Sequence, residues 1–181
     1  MKYKILVASA IVLFFIFITI QYVKPYYSFR IKDDEQSITQ SISELLEHPI
    51  KIKLMKDIDN KRVVLFTIGS QIGESELTKG PNNKYKLESA GHGSNEVRYR
   101  ILKTDNGQYI KFLGRNTEGI SKILAFVESE KYYLSVQEGE YFISTIPLIN
   151  NVENSFPSGS VWYDTQGNEI IRIGISNNDI L

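Results

Sequence analysis

From Ile5 to Ile20 the chain carries no charge, and only Ser9 and Thr19 interrupt an apolar run that Gln21, Tyr22 and Val23 can extend. At about 1.5 Å per residue, a helix over 5–23 is roughly 28 Å long, close to the thickness of a bilayer core. Lys2 and Lys4 precede the run and Lys24 follows it, while Tyr3, Tyr22, Tyr26, Tyr27 and Phe29 flank it as interfacial aromatic belts do. Pro25 ends the helix where the membrane ends. A core helix of a globular protein would carry a polar stripe, and this run has none. A cleavable signal peptide needs a shorter apolar region of about 7–15 residues and a small-x-small site, but bulky Gln21-Tyr-Val-Lys-Pro-Tyr-Tyr follows. The pattern predicts an uncleaved signal-anchor. Residues 1–4 are then a short cytoplasmic tail, 5–23 a transmembrane helix, 24–36 a juxtamembrane linker and 37–181 an extracytoplasmic β-rich domain. Bases are balanced across the span, so the short N-terminal tail decides for a single-pass cell-membrane protein, N-in and C-out. Secretion after signal cleavage is the alternative.

The formal net charge of zero is a cancellation between two regions. Residues 1–32 hold five bases and no acid, whereas residues 33–181 hold 16 bases and 21 acids. The external domain is therefore acidic, and no nucleic-acid partner is expected. With no cysteine in the chain, a disulfide framework, a thiolate zinc site and a lipid-modified N-terminus are all excluded.

Ile38, Ile42, Leu45 and Leu46 recur at helical spacing over 37–48, with Asp33 or Asp34 available as the cap and Pro49 as the stop. After Pro49 the period changes to two. Strands are expected at 50–54, 63–68, 85–88, 96–103, 108–114, 122–128, 132–136, 141–146, 161–163 and 169–175. Turn signals lie between them at 79–83, 105–107, 138–140 and 165–168. The fold class is α+β: an N-terminal transmembrane helix, then one amphipathic helix packed on a curved, mainly antiparallel sheet.

Asn106-Gly107 is a strong hairpin signal, since both residues tolerate a type I′ turn. With those two as the loop, Ile101 faces Phe112, Lys103 faces Ile110 and Tyr99 faces Gly114. Tyr99, Ile101, Ile110 and Phe112 then form a core face, and the other face carries Arg98, Arg100, Lys111 and Arg115 beside Leu102 and Leu113. Four cations on an acidic domain make a candidate surface for an anionic lipid, a wall polymer or an acidic protein segment.

Catalytic motifs do not emerge. Gly91-His-Gly-Ser94 lacks nucleophile-elbow spacing and reads as a strand-connecting loop, and Ser158-Gly-Ser160 as a turn. No phosphate loop, dinucleotide fingerprint or calcium loop is present, and His48 and His92 are too few for a His-rich metal site. Catalytic, cofactor and metal residues are thus expected to be none. Glu74/Glu76, Glu128/Glu130 and Glu138/Glu140 stand at i, i+2 and read as solvated edges. An envelope hydrolase would need such acids opposed in a cleft, and a structural subunit would associate through the transmembrane helix, where Ala8 and Ala10 are small.

Val64-Leu-Phe-Thr, the turn Leu77-Thr-Lys-Gly-Pro-Asn-Asn-Lys-Tyr85 and Gly107-Gln-Tyr-Ile-Lys-Phe-Leu-Gly-Arg-Asn116 resemble small single-pass, membrane-anchored proteins of Gram-positive spore-forming bacteria. The resemblance transfers no catalytic residue and implies a non-enzymatic, envelope-associated role.

Overall fold

Val63 to Phe66 are four consecutive fully buried apolar residues, and Phe112 and Leu113 are two more, so the strands that carry them need cover on both faces. The computed structural model, which describes residues 11–20 and 27–175, supplies that cover with one helix and three antiparallel sheets. In chain order the elements are α1 (Glu35–Leu46), β1 (Lys51–Ile58), β2 (Lys61–Ile68), β3 (Gln71–Lys79), β4 (Tyr85–Gly93), β5 (Val97–Lys103), β6 (Gln108–Arg115), β7 (Lys122–Val127), β8 (Glu130–Ser135), β9 (Tyr141–Pro147), β10 (Gly159–Tyr163) and β11 (Glu169–Ile173). The first sheet is the meander β1-β2-β3-β4, the second has the order β5-β6-β9, and the third β11-β10-β7-β8.

Helix α1 starts as the sequence predicts: Asp34 caps it, accepting from the Ser37 N–H at 2.7 Å. Ile38 and Ile42 are buried against Val64, Phe66, Leu77 and Tyr85 on the outer face of the first sheet. Leu45 does not join them and is 57% exposed, whereas Leu46 packs against the cluster before Glu47 turns left-handed and ends the helix. The inner face of the first sheet, with Val63, Leu65 and Ile72, meets Leu102 and Leu113 of the second. The opposite face of the second sheet packs Ile101, Ile110, Phe112 and Phe142 on Ile123, Ala125, Leu134 and Trp162 of the third. The domain is thus a stack of helix, sheet, sheet and sheet.

The α+β class stands, but the single curved sheet expected from the sequence is replaced by three. Hairpin pairing holds through β1–β4, β5–β6, β7–β8 and β10–β11, while β9 returns to β6 and β10 to β7. Strand β3 was not expected as a strand at all. Gly91-His92-Gly93 closes β4 rather than forming a loop.

Among the described residues, 11–20 are helical, and no helix is long and apolar enough to cross a membrane. Residues 5–10 and 21–23 of the expected span lie outside the described residues, as do 1–4, 24–26 and 176–181. The segment 29–34 lies against the first sheet. Ile31 bridges Tyr85, with the Ile31 N–H donating to the Tyr85 carbonyl at 3.0 Å and the Tyr85 N–H to the Ile31 carbonyl at 2.8 Å. Phe29 rests on Gly80, where a Cβ would come within 2.3 Å of its ring. Arg62 completes the attachment: it donates to both oxygens of Asp57 (2.6 and 2.7 Å), pairs with Asp33, and lies 4.5 Å from the Tyr85 ring centroid.

The Arg62 hydrogen bonds hold the Asp57 carboxyl below its ordinary 3.8. A depressed carboxylate adds stability that is fully present above the unfolded pKa and is lost as pH falls through the lower folded one. Between pH 5 and 2, the urea midpoint of Asp57→Asn should therefore decline less steeply than that of the wild type. Parallel acid limbs would show that the Arg62 clasp contributes nothing to acid sensitivity.

Candidate functional site

The four predicted cations are divided by the tertiary structure. The hairpin β5–β6 turns at Asp105-Asn106, one residue before the expected loop, so Tyr99 faces Phe112, Ile101 faces Ile110, and Arg100 faces Lys111. Tertiary contacts set this turn. The Thr104 hydroxyl donates to Asp59 at 2.6 Å, and the Asp105 N–H to the Asn60 side chain at 3.2 Å, both from the β1–β2 turn. Gly107 then takes φ +150°, which few side chains tolerate. The pairing shift is two residues, an even number, so the expected faces survive intact.

What changes is the surroundings of the cationic face, which is covered by the first sheet. Lys111 is fully buried, with Nζ 3.1 Å from Glu74 Oε2 and 2.6 Å from Glu76 Oε1. Those acids occupy the middle of β3 and point inward, opposite to the solvated edge expected of them. Lys111 is therefore a bridge between sheets and unavailable to a ligand. Arg98 crosses the same gap: its Nε is 3.6 Å from Glu74 Oε1, and its guanidinium lies over Gly91 and Gly93 of β4. Arg115 sits at the far end of the strand, 3.2 Å from Glu96 and 5.7 Å from the Tyr141 ring centroid. Arg100 makes no ion pair among the described residues; its guanidinium faces Phe156 at 5.8 Å.

Arg98 and Arg100 do meet at one opening, a cavity of about 330 Å³ that they share with Glu74, Asn95, Tyr99 and Phe156. On the other side of β5 lies a second cavity of about 410 Å³ between the edge strands β5 and β11. Val97, Tyr99, Ile120, Trp162, Ile171 and Ile173 form its apolar lining, and Glu96, Arg115 and Glu118 its charged rim. Tyr99 lines both cavities and is held by stacking on Phe112, with centroids 5.3 Å apart. Strand β5 is thus a thin wall with a cationic opening on one side and an apolar one on the other.

The backbone of this wall is half open. The Arg115 N–H donates to the Glu96 carbonyl at 2.9 Å and the Thr104 N–H to the Gly107 carbonyl at 2.8 Å, so even-numbered residues of β5 bond to β6. Odd-numbered residues point outward. The Ile101 N–H donates to the Ser155 carbonyl at 2.9 Å, whereas the outward groups of Val97 and Tyr99 meet no partner among the described residues.

Glu74, Asn95, Phe156 and the Trp162 cavity were not found from the sequence. Residues 71–79 carry no apolar alternation, since Ile72 and Leu77 fall on opposite faces, and no local pattern foretells that 155–157 lies beside β5. His92 Nδ1 is 2.6 Å from Gln71 Oε1, and its ring meets His48 edge-on at 6.4 Å. Among the described residues no group of three or more His, Asp or Glu is placed to hold a metal ion. Neither a protein-family model, nor a curated protein, nor a solved structure matches the chain.

Proposed function

We propose that this is a single-pass membrane protein, anchored through residues 5–23 with its N-terminus inside, whose external domain binds an anionic envelope partner at the Arg98–Arg100 cavity. The apolar run supports the anchor, and so does the character of helix 11–20: Leu13, Phe14, Phe15 and Phe17 are each more than 60% exposed, with no polar stripe to place it in a protein core. The resemblance to membrane-anchored proteins of spore-forming bacteria agrees with this reading.

The observation that carries the binding is Arg100. It is a half-buried guanidinium at a cavity mouth, without an acid of its own, beside an Arg98 whose charge Glu74 already balances in part. An incoming carboxylate or phosphate would gain a bidentate donor and two aromatic walls, Tyr99 and Phe156. The domain acts by binding rather than catalysis. The hydrolase alternative draws no support from Glu74 and Glu76, because both carboxylates converge on Lys111.

With full-length protein in neutral detergent micelles, binding of an anionic wall-polymer extract or of poly-glutamate should weaken as salt rises. Arg100→Gln should reduce it about fivefold, the worth of roughly 1 kcal/mol for one cation near an anionic surface, with little change in the unfolding midpoint. Binding that ignores both salt and Arg100→Gln would overturn this reading.

A further inference from the structure

We propose that the partner docks as an added β-strand on the outer edge of β5, through an extended segment in which apolar and acidic side chains alternate. This inference rests on the anionic-partner reading and names the chemistry of that partner.

The argument begins with the backbone. Strand β5 is the edge of its sheet, and natural edges are guarded by proline, bulges, inward charges or covering loops. Here the loop through Ser155 takes up only the Ile101 N–H, its Phe156 ring lies edge-on to the Tyr99 ring with centroids 6.5 Å apart, and Pro157 follows without an N–H to offer. The outward N–H and C=O groups of Tyr99 and Val97 remain open, two rungs of a ladder that an extended chain can take up.

The side chains give the specificity. Successive residues of a docked strand point to opposite faces of the sheet. Because β5 separates the two cavities, alternate side chains of the partner enter the 330 Å³ cationic opening and the 410 Å³ apolar one. The cationic side has Arg100 without an acid, so it selects Asp or Glu. Trp162, Ile171 and Ile173 line the other, whose rim sets two acids, Glu96 and Glu118, against the single cation Arg115 that Glu96 already holds at 3.2 Å, so it favours an apolar side chain over an acid. The two faces therefore sort the partner's side chains by charge, which also fixes its register. Val97 to Arg100 bracket both openings, so four to five partner residues, about 15 Å at ~3.3 Å each, suffice.

The test uses full-length protein in neutral micelles and the synthetic peptide acetyl-(Val-Glu)₄-amide. Acetyl-(Val-Lys)₄-amide and two N-methylated forms, one at the Val nitrogens and one at the Glu nitrogens, serve as comparisons. Trp162, the only tryptophan of the chain, lines the apolar cavity and reports binding by its fluorescence. The Val-Glu peptide should bind at least tenfold more tightly than the Val-Lys peptide. Only alternate nitrogens of an added strand bond to β5, so methylation of one set, and not both, should weaken binding at least tenfold. Hydrogen exchange at the Val97 and Tyr99 amides should slow on binding. Loss through neither set or both sets, or unchanged exchange at those amides, would overturn strand addition. If Arg100→Gln still weakens wall-polymer or poly-glutamate binding in that case, the anion site stands and only the strand falls. If Arg100→Gln changes nothing, the underlying reading falls as well. Protection of both amides that rises with protein concentration, without peptide, would assign the edge to a second copy of this chain and refute a partner segment.

Discussion

Replacing Lys111 by methionine should cost the domain about 3–5 kcal/mol, read as a lower urea midpoint at unchanged slope. Lys111 has no exposed surface, and it is the cation shared by Glu74 and Glu76, whose side chains are only 12% and 15% exposed. Methionine fills nearly the same volume, so packing between the first two sheets is kept. The loss comes from charge: two carboxylates remain side by side between sheets, with Arg98 at 3.6 Å from one of them as the remaining cation. A buried charge stripped of its partner is far more costly than the pair is worth. The same logic predicts a rescue. Lys111→Met combined with Glu76→Met should recover part of the stability, because Glu74 keeps Arg98 as its partner while well-packed apolar groups replace the other two charges. A cost below about 1 kcal/mol for Lys111→Met alone would mean that water, not Lys111, solvates those acids.

Phe112→Ala is the second large effect, also about 3–5 kcal/mol, from lost burial and the cavity left behind. Phe112 neighbours Lys111 on β6 but points to the opposite face, where it is fully buried in the largest apolar cluster. Its ring stacks on Tyr99 at 5.3 Å and meets Trp162 edge-on at 6.3 Å. Denaturation gives the stability loss, and the emission of Trp162 gives a second reading, since removing the ring admits water and shifts the emission to the red. Phe112→Leu, which keeps most of the volume, should cost markedly less. Tyr99 loses its support in Phe112→Ala, so peptide binding on β5 should weaken even where the fold persists. Equal stability of Phe112→Ala and wild type would contradict the assignment of this side chain to the core.

These two neighbours show how far the sequence reaches. Alternation correctly assigned Tyr99, Ile101, Ile110 and Phe112 to one face and the cations to the other. It had no means of finding what lies above each face. An isolated hairpin with Arg98, Arg100, Lys111 and Arg115 on one side looks like a surface patch; beneath a sheet carrying Glu74 and Glu76 the same side becomes an interface. Strand β3 escaped notice for the same reason, since the acids that mark it as polar are the ones buried against Lys111. The turn at Asp105-Asn106 was likewise displaced from Asn106-Gly107 by bonds from Asp59 and Asn60, some 45 residues away. Helix α1 was legible because its cap and its apolar spacing are local.

Local chemistry in this chain therefore determined the apolar run at 5–23, the capped helix, most strands and the two faces of the β5–β6 hairpin. All follow from backbone periodicity and from side chains within a few residues of one another. Only the tertiary structure decided that the strands divide into three stacked sheets, that Lys111 is a bridge, and that β5 stands as an open edge between a cationic and an apolar cavity. Those outcomes depend on which strands pair and which faces stack across long loops, and the free energy that selects them is burial between distant segments.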